Sequence, residues 1–128
     1  MTEEQTQPRG ECVIRTLAMP RDANPNGDIF GGFLVSQMDL GASIAAKRRS
    51  KSRTATVAID KIVFRRPVHV GDTVSCHAKI IKVGNTSMKI RVEIWALSHV
   101  NFEEHKVTEG TFTFVAINKH GKPHPVDR

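Results

Sequence analysis

The chain is poor in the residues that mark several common classes of protein. Its 128 residues include no tyrosine and one tryptophan, and aromatic residues make up only 5% of it. Proteins that bind RNA or single-stranded nucleic acid stack bases on aromatic side chains, so this composition disfavours that function. The net charge of +6 still indicates an anionic partner, and nucleotide-bearing metabolites and anionic lipids both fit that description.

Cysteines and long apolar runs are also scarce. Cys12 and Cys76 form no CxxC motif, and we expect both to be reduced thiols of a cytoplasmic protein. Residues 1–10 are polar and lack the apolar core of a secretory signal. The longest apolar run spans residues 29–35, whereas a membrane-spanning helix needs about 20 such residues. We predict one domain over residues 1–128, with flexible tails at 1–10 and 119–128.

One long stretch of the sequence is predominantly apolar. Residues 29–48 leave no wide polar face, which at this length predicts a buried helix. A helix that is apolar all round cannot lie on a small flat sheet. We therefore predict an α+β fold in which a curved antiparallel sheet wraps the helix, with its open edge paired in a dimer. The predicted strands are 11–19, 54–64, 73–83, 88–97 and 107–117.

Asp39 is the acidic residue in the middle of this apolar stretch. Its neighbours three and four positions away are valine, serine and alanine, so a cleft can open beside the carboxylate. No lysine or arginine lies within one helical turn. A carboxylate in a cleft that excludes water makes a good general base. The alternative is structural: Asp39 pairs with a distant arginine or caps backbone in a partner subunit.

Two glycines, Gly31 and Gly32, lie near the predicted start of the helix. Bare backbone N–H groups at a helix start carry partial positive charge and can hold an anion or a developing oxyanion. Asp39 follows Gly32 by seven residues, two turns along the same face, which favours a shared site. The alternative is that the glycines serve only the turn and its packing.

The remaining polar clusters carry weaker signals. Basic residues between positions 47 and 53 either contact a phosphate or offset the helix dipole. All six histidines lie at or after position 69 and none forms an HExxH motif, so we expect no metal site. The sequence has no GxSxG motif, P-loop or dinucleotide fingerprint, which leaves serine hydrolysis, NTP hydrolysis and hydride transfer without support.

Several motifs follow one another in a fixed order. They are Arg-Thr-Leu-Ala-Met-Pro at 15–20, Asp-Ala-Asn at 22–24, Gly-Asp-Ile-Phe-Gly-Gly at 27–32 and Ser-Gln-Met-Asp at 36–39. Together with later matches as far as residue 126, they resemble the YciA-type acyl-CoA thioesterases of bacteria. The resemblance implies a hotdog fold that hydrolyses acyl-CoA to a free acid and CoA, with CoA as a substrate moiety and no separate cofactor. It also implies a dimer as the active unit, assembled as a trimer of dimers.

The resemblance also implies roles for individual residues. Asp39 would be the catalytic carboxylate, either as general base or as nucleophile, and Asn24 would complete the site from the other subunit. Backbone N–H groups near Gly31 and Gly32 would polarise the thioester carbonyl. The CoA phosphates would account for the positive charge of the chain. The candidate residues for holding them are Arg53, Arg65, Lys82, Asn85, Thr86 and Ser87.

Three other functions compete with this one. A hotdog dehydratase pairs a histidine with an acid in its site, and this chain has no histidine before position 69. A non-catalytic acyl-CoA-binding hotdog module needs no buried carboxylate. A nucleic-acid-binding domain is disfavoured by the shortage of aromatic residues.

Overall fold

One long helix and five strands make up most of residues 5–128, the part of the chain that the computed structural model describes. In chain order they are β1 (Glu11–Leu17), α1 (Gly31–Ser50), β2 (Arg53–Phe64), β3 (Thr73–Val83), β4 (Ser87–Leu97) and β5 (Glu104–Ile117), with a short 3-10 turn at Pro20–Asp22. Among these residues, no helix combines the length and hydropathy needed to cross a membrane.

All five strands form one antiparallel sheet in the order β1-β3-β4-β5-β2. The pairing of β2 with β5 shifts register twice, between Thr56 and Ala58 and between Asp60 and Val63, and such bulges bend a strand. Because α1 contacts every strand, the sheet has to curve around it. The predicted α+β architecture, with one helix wrapped by an antiparallel sheet, is confirmed.

The core lies between one face of α1 and the inner face of the sheet. Leu34, Met38, Ala42 and Ala46 recur every fourth residue and are all buried, as expected for one helical face. Helix and sheet approach closely at Gly41, where an added Cβ would lie 2.5 Å from the sulfur of Cys76. Burial at this contact raises the pKa of the Cys76 thiol to about 12, so Cys76 is an inert core residue.

The opposite face of α1 is apolar but is not covered within this chain. Leu40 is 53% exposed and Val57, on the neighbouring edge strand β2, is 57% exposed. We call this surface the apolar strip; its exposed members are Leu40, Ile44, Val57, Ile59 and Phe64. The helix is therefore apolar all round as predicted, while the sheet of one chain buries only one side of it.

Residues of both predicted flexible tails make contacts with the rest of the domain. Near the N-terminus, the Gln5 side chain and the Arg9 backbone N–H donate hydrogen bonds to Glu93. Near the C-terminus, Val126 is 4% exposed and donates its N–H to the carbonyl of Asn85. These buried and hydrogen-bonded contacts hold residues 5–10 and the end of the chain on the domain. Residues 1–4 of the predicted tail lie outside the described part.

Candidate active site

Asp39 lies half-buried on α1, beside the apolar strip. Its Oδ1 accepts a hydrogen bond of 2.7 Å from the hydroxyl of Thr56 on β2. Within residues 5–128 no lysine, arginine or histidine forms an ion pair with it, so pairing with a distant arginine is not seen in this chain. The carboxylate is thus oriented by one hydroxyl and keeps lone pairs for a water molecule.

Thr56 is a candidate site residue that the sequence alone does not single out. It belongs to a run of β-branched and small residues, and nothing in that run distinguishes it from Thr54. Only the register of β2 against the helix brings its hydroxyl to Asp39, and register is a tertiary property.

Asn24 is fixed by a small hydrogen-bonded turn before the helix. Its side-chain Oδ1 accepts the backbone N–H groups of Asn26 at 2.9 Å and Asp28 at 3.1 Å. Its own backbone N–H donates to the carbonyl of Asp28 at 2.7 Å. Because the amide oxygen is occupied by the turn, the NH₂ group is the part of the side chain left to act on a ligand.

The turn that carries Asn24 is anchored by a buried carboxylate. Asp28 is joined to His69 by a backbone bridge and by a contact of 3.2 Å between the Asp28 Oδ1 and the His69 Nδ1. The His69 N–H donates to Asp72, which is 1% exposed and also accepts the backbone N–H and ring Nδ1 of His99. Burial alone would raise the pKa of the Asp72 carboxyl, but these hydrogen bonds hold it below its usual range.

The start of α1 is open to a ligand. Its N-cap residue is Phe30, which makes no side-chain capping hydrogen bond, and the first N–H groups of a helix have no partner within the helix. Gly31 and Gly32 are both exposed at this end. Beside them lies a cavity of about 420 Å³, which we call the helix-start cavity; its mainly apolar lining includes Ile29, Gly31, Leu34, Phe64 and Val68.

These groups fall into two sets that are separated along the helix. Seven residues of rise place Gly32 and Asp39 about 10 Å apart, whereas a bound water attacks a carbon about 3 Å away. Asn24 lies beyond Gly32, on the loop before the helix. One thioester bond is therefore poorly placed to use both sets within a single chain, although they share a helical face as predicted.

The predicted CoA-binding residues are also divided between the two ends of the sheet. Arg53 pairs with Ile117 and Ser87 with Val115, which places Arg53, Lys82, Asn85, Thr86 and Ser87 near the end of α1. Arg65 lies beyond the other end of β2, at the wall of the helix-start cavity. Twelve residues of strand separate Arg53 from Arg65 by more than about 30 Å, so one phosphate cannot contact both in one chain.

The basic residues at the end of α1 are engaged in ion pairs. Arg48 pairs with Glu11 and Arg49 with Asp127, each at 2.8 Å. These contacts favour the structural interpretation of the cluster over phosphate binding. In the described residues, no three histidine, cysteine or acidic side chains are grouped as a metal site.

Comparisons with known proteins agree on one family. The model of the thioesterase superfamily matches residues 26–102. The acyl-CoA thioester hydrolase YciA of Salmonella typhimurium is 47% identical over 129 residues, which cover 98% of this chain and 97% of that protein. The hexameric thioesterase y2039 of Yersinia pestis has a TM-score of 0.90 and 48% identity, covering 95% of this chain and 99% of that one.

A hexameric broad specificity acyl-coenzyme A thioesterase, solved as an aspartate-to-alanine mutant, has a TM-score of 0.89 and 44% identity, covering 94% of this chain and 88% of that one. The sequence motifs, the helix wrapped by a sheet and the similar proteins therefore all indicate the same family. The chain belongs to the thioesterase superfamily, as a hotdog-fold acyl-CoA thioester hydrolase of the YciA type.

Proposed function

We propose that the protein hydrolyses acyl-CoA to a carboxylic acid and CoA in a site that Asp39 of one subunit shares with Asn24 of a second copy. The observation that carries this proposal is the Asp39 carboxylate, oriented by the Thr56 hydroxyl at 2.7 Å and without an ion pair in the described chain. A stability role alone gives no reason to keep such a carboxylate beside an apolar surface.

The apolar strip supports a dimer as the active unit. Asp39 is adjacent to Leu40, and Thr56 is adjacent to Val57, so a partner that covers the strip also covers the carboxylate. An edge strand such as β2 exposes unpaired backbone groups that a second copy can satisfy. A two-fold axis across this edge would bring the Asn24 loop and helix start of one subunit toward Asp39 of the other.

A larger assembly is consistent with this dimer. The relatives from Yersinia pestis and with the aspartate-to-alanine substitution are both hexameric. We infer that the protein forms a trimer of dimers, in which the dimer completes each site.

The proposed chemistry needs an activated water and a site for negative charge. Asp39 accepts a proton from water, the hydroxide oxygen attacks the thioester carbon, and the carbonyl oxygen becomes an oxyanion. Collapse of this intermediate breaks the carbon–sulfur bond and releases the CoA thiolate, which takes up the proton from Asp39. Direct attack by the carboxylate is the alternative; it would expel the CoA thiolate and form a mixed anhydride, and attack of water on the Asp39 carbon of that anhydride would place isotopic label from water in Asp39.

Asn24 acts in this scheme as a hydrogen-bond donor. Because its Oδ1 holds the backbone N–H groups of Asn26 and Asp28, its NH₂ group faces the substrate. Together with the exposed N–H groups at Gly31 and Gly32, it stabilises the oxyanion. The structure thus favours a carbonyl-polarising role over the water-positioning role that an amide oxygen would play.

The direct test is to mix the purified protein with acyl-CoAs of different chain length and a thiol-detecting reagent. We expect CoA release by the wild type and its loss in Asp39→Ala. A non-catalytic acyl-CoA-binding module would bind these ligands without releasing thiol. Undiminished release by Asp39→Ala would show that another group performs the reaction.

A further inference from the structure

The loop that joins β4 to β5 presents apolar side chains to solvent. Val100 is 75% exposed and Phe102 is 71% exposed, more than any other large apolar side chain in residues 5–128. We call residues 98–103 the hairpin tip. Strand β5 separates β4 from the edge strand β2, so the hairpin tip is set back from the apolar strip by one to two strand spacings of about 4.8 Å. A partner that covers the apolar strip therefore does not cover the hairpin tip.

Hydrogen bonds within the hairpin tip fix its shape. The Ser98 N–H donates to the carbonyl of Glu103, and the Phe102 N–H donates to the carbonyl of Ser98, each at 3.0 Å. The Ser98 hydroxyl oxygen accepts the N–H groups of Val100 and Asn101, and Asn101 Oδ1 accepts the Glu103 N–H. Because these backbone donors are satisfied inside the loop, Val100 and Phe102 form a preformed apolar surface.

The backbone of Phe102 does not suit its side chain. Its φ is 58°, in the left-handed region that a bulky residue rarely adopts and that glycine or asparagine occupies readily. Since the ring is largely exposed, packing within the chain does not offset the cost of this conformation. A residue held in this way indicates a functional constraint, and for an exposed apolar ring the fitting constraint is a contact with another molecule.

The hairpin tip is connected to the loop that carries Asn24. His99, in the tip, donates its backbone N–H to Asp72 Oδ1 at 3.1 Å, and its ring Nδ1 lies 2.8 Å from the same oxygen. The other oxygen of Asp72 accepts the His69 N–H at 3.0 Å. His69 is joined to Asp28, whose own N–H donates to the side chain of Asn24. A contact that fixes the hairpin tip therefore also restrains the Asn24 amide.

We propose that the hairpin tip is the contact between neighbouring dimers of this protein, and that this contact holds the Asn24 loop in position for the reaction. The proposal rests on the trimer of dimers inferred above. The apolar strip is used within each dimer, so the trimer needs a second surface. A dimer carries two hairpin tips and touches two neighbours in a ring of three dimers, which gives one tip to each contact. Asp72 is then a positioning residue that links assembly to activity.

The first test uses Phe102→Asn. Asparagine tolerates the left-handed conformation, so the hairpin tip keeps its shape but loses its apolar ring. By size-exclusion chromatography with light scattering, we expect a hexameric wild type and a dimeric variant at the same concentration, with unchanged circular dichroism. We expect kcat for an acyl-CoA to fall about fivefold, as for a weak coupling between two sites.

Ile81→Asn is the matched control. Ile81 is also a large apolar residue and is 52% exposed, but it lies at the opposite end of β3, since Thr73 at the start of β3 pairs with Leu97 beside the hairpin tip. We expect this variant to stay hexameric and to keep the wild-type kcat.

A second experiment tests the connection through Asp72. The anchor is already weakened in Asp72→Asn, so adding Phe102→Asn should still produce dimers but should lower kcat no further. The same fivefold loss in both backgrounds would show that the hairpin tip acts on the site by another route, and Asp72 would not be the link.

Two further results would overturn the proposal. A hexameric Phe102→Asn protein would show that the hairpin tip is not the contact between dimers. A dimeric Phe102→Asn protein with wild-type kcat would show that assembly does not position the Asn24 loop. The proposed function fails separately: a hexameric wild type that releases no CoA would refute thioester hydrolysis, whereas a wild type that hydrolyses acyl-CoA as a dimer would refute only the contact at the hairpin tip and the trimer of dimers.

Discussion

The two ends of α1 are built in opposite ways. At its end, Lys51 adopts a left-handed cap with its N–H on the Lys47 carbonyl, and the Arg128 side chain donates to the carbonyl of Ser50. Arg48 and Arg49 complete this end with ion pairs. At its start, the capping residue is a phenylalanine with no side-chain hydrogen bond, followed by two exposed glycines.

This difference separates stability from function. The end of the helix has its last carbonyls and charges satisfied within the chain, as a structural terminus requires. The start leaves N–H donors and an oriented amide unsatisfied beside an open cavity, which costs stability unless a ligand or partner supplies the missing groups. Substitutions near the start should therefore change activity, and those at the end should change little.

The largest effect is expected for Asp39→Asn. The substitution keeps the size of the side chain and an acceptor for Thr56, but it removes the proton acceptor. We expect kcat to fall by about 10²–10⁴, with the melting temperature near that of the wild type. A variant that retains more than a tenth of wild-type kcat would exclude Asp39 as the base.

Asn24→Asp separates the two functions of the Asn24 amide. The new carboxylate still accepts the N–H groups of Asn26 and Asp28, so the turn persists, but the NH₂ donor is gone. We expect kcat to fall by about 10²–10³, while Asn26→Ala, which leaves its backbone N–H in place, keeps full activity. Retained activity in Asn24→Asp would contradict the donor role.

A smaller loss is expected for Thr56→Val, which removes the hydroxyl that orients Asp39. One hydrogen bond to a charged group corresponds to about tenfold in kcat, with KM unchanged. Thr54→Val, on the same strand but away from Asp39, is the control. If steady-state kinetics show the same loss of kcat in both variants, the substitutions disturb β2 in general and the hydroxyl of Thr56 has no specific role.

Asp72→Asn tests how the helix-start loop is anchored. The pKa of Asp72 is lowered in the folded protein, so its stabilising contribution is present above its ordinary pKa of about 3.9 and is lost as pH falls through the folded value. We expect the Asp72→Asn variant to melt below wild type at neutral pH, with the gap narrowing as the pH falls from about 5 to below the ordinary pKa of an aspartate. Scanning calorimetry across this range measures the gap, and a constant gap would show that the carboxylate charge is not involved.

The smallest effect is expected at the end of the helix. Arg49→Gln breaks an exposed ion pair with Asp127, and such pairs contribute little. We expect unchanged kcat and KM for acyl-CoA. A higher KM in Arg49→Gln would indicate that the basic cluster binds a phosphate. The end of the helix would then have a function as well as a structural role.

The sequence predicted the elements of the fold well because hydrophobic periodicity reflects burial. The predominantly apolar stretch of α1 and the alternation in β4 each have one main structural solution. Asp39 was found for the same reason, as a charge where the pattern demands an apolar residue. The role of Asp39 in thioester hydrolysis was predicted from the resemblance to the YciA-type thioesterases.

Other parts of the site depend on contacts that no local pattern encodes. Thr56 differs from Thr54 only through the register of β2 on the helix. In the sequence, Arg53 and Arg65 are both basic residues near turns. In the structure they lie at opposite ends of β2.

Mixing two inactive variants tests the shared site most directly. Asp39→Asn and Asn24→Asp proteins, with distinct tags, are dissociated, combined in equal amounts and reassembled. Random pairing makes half of the dimers mixed, and each mixed dimer holds one intact site, so we expect roughly a quarter of wild-type activity. Mixed dimers that are recovered through both tags and remain inactive would contradict a site built from Asp39 of one subunit and Asn24 of the other.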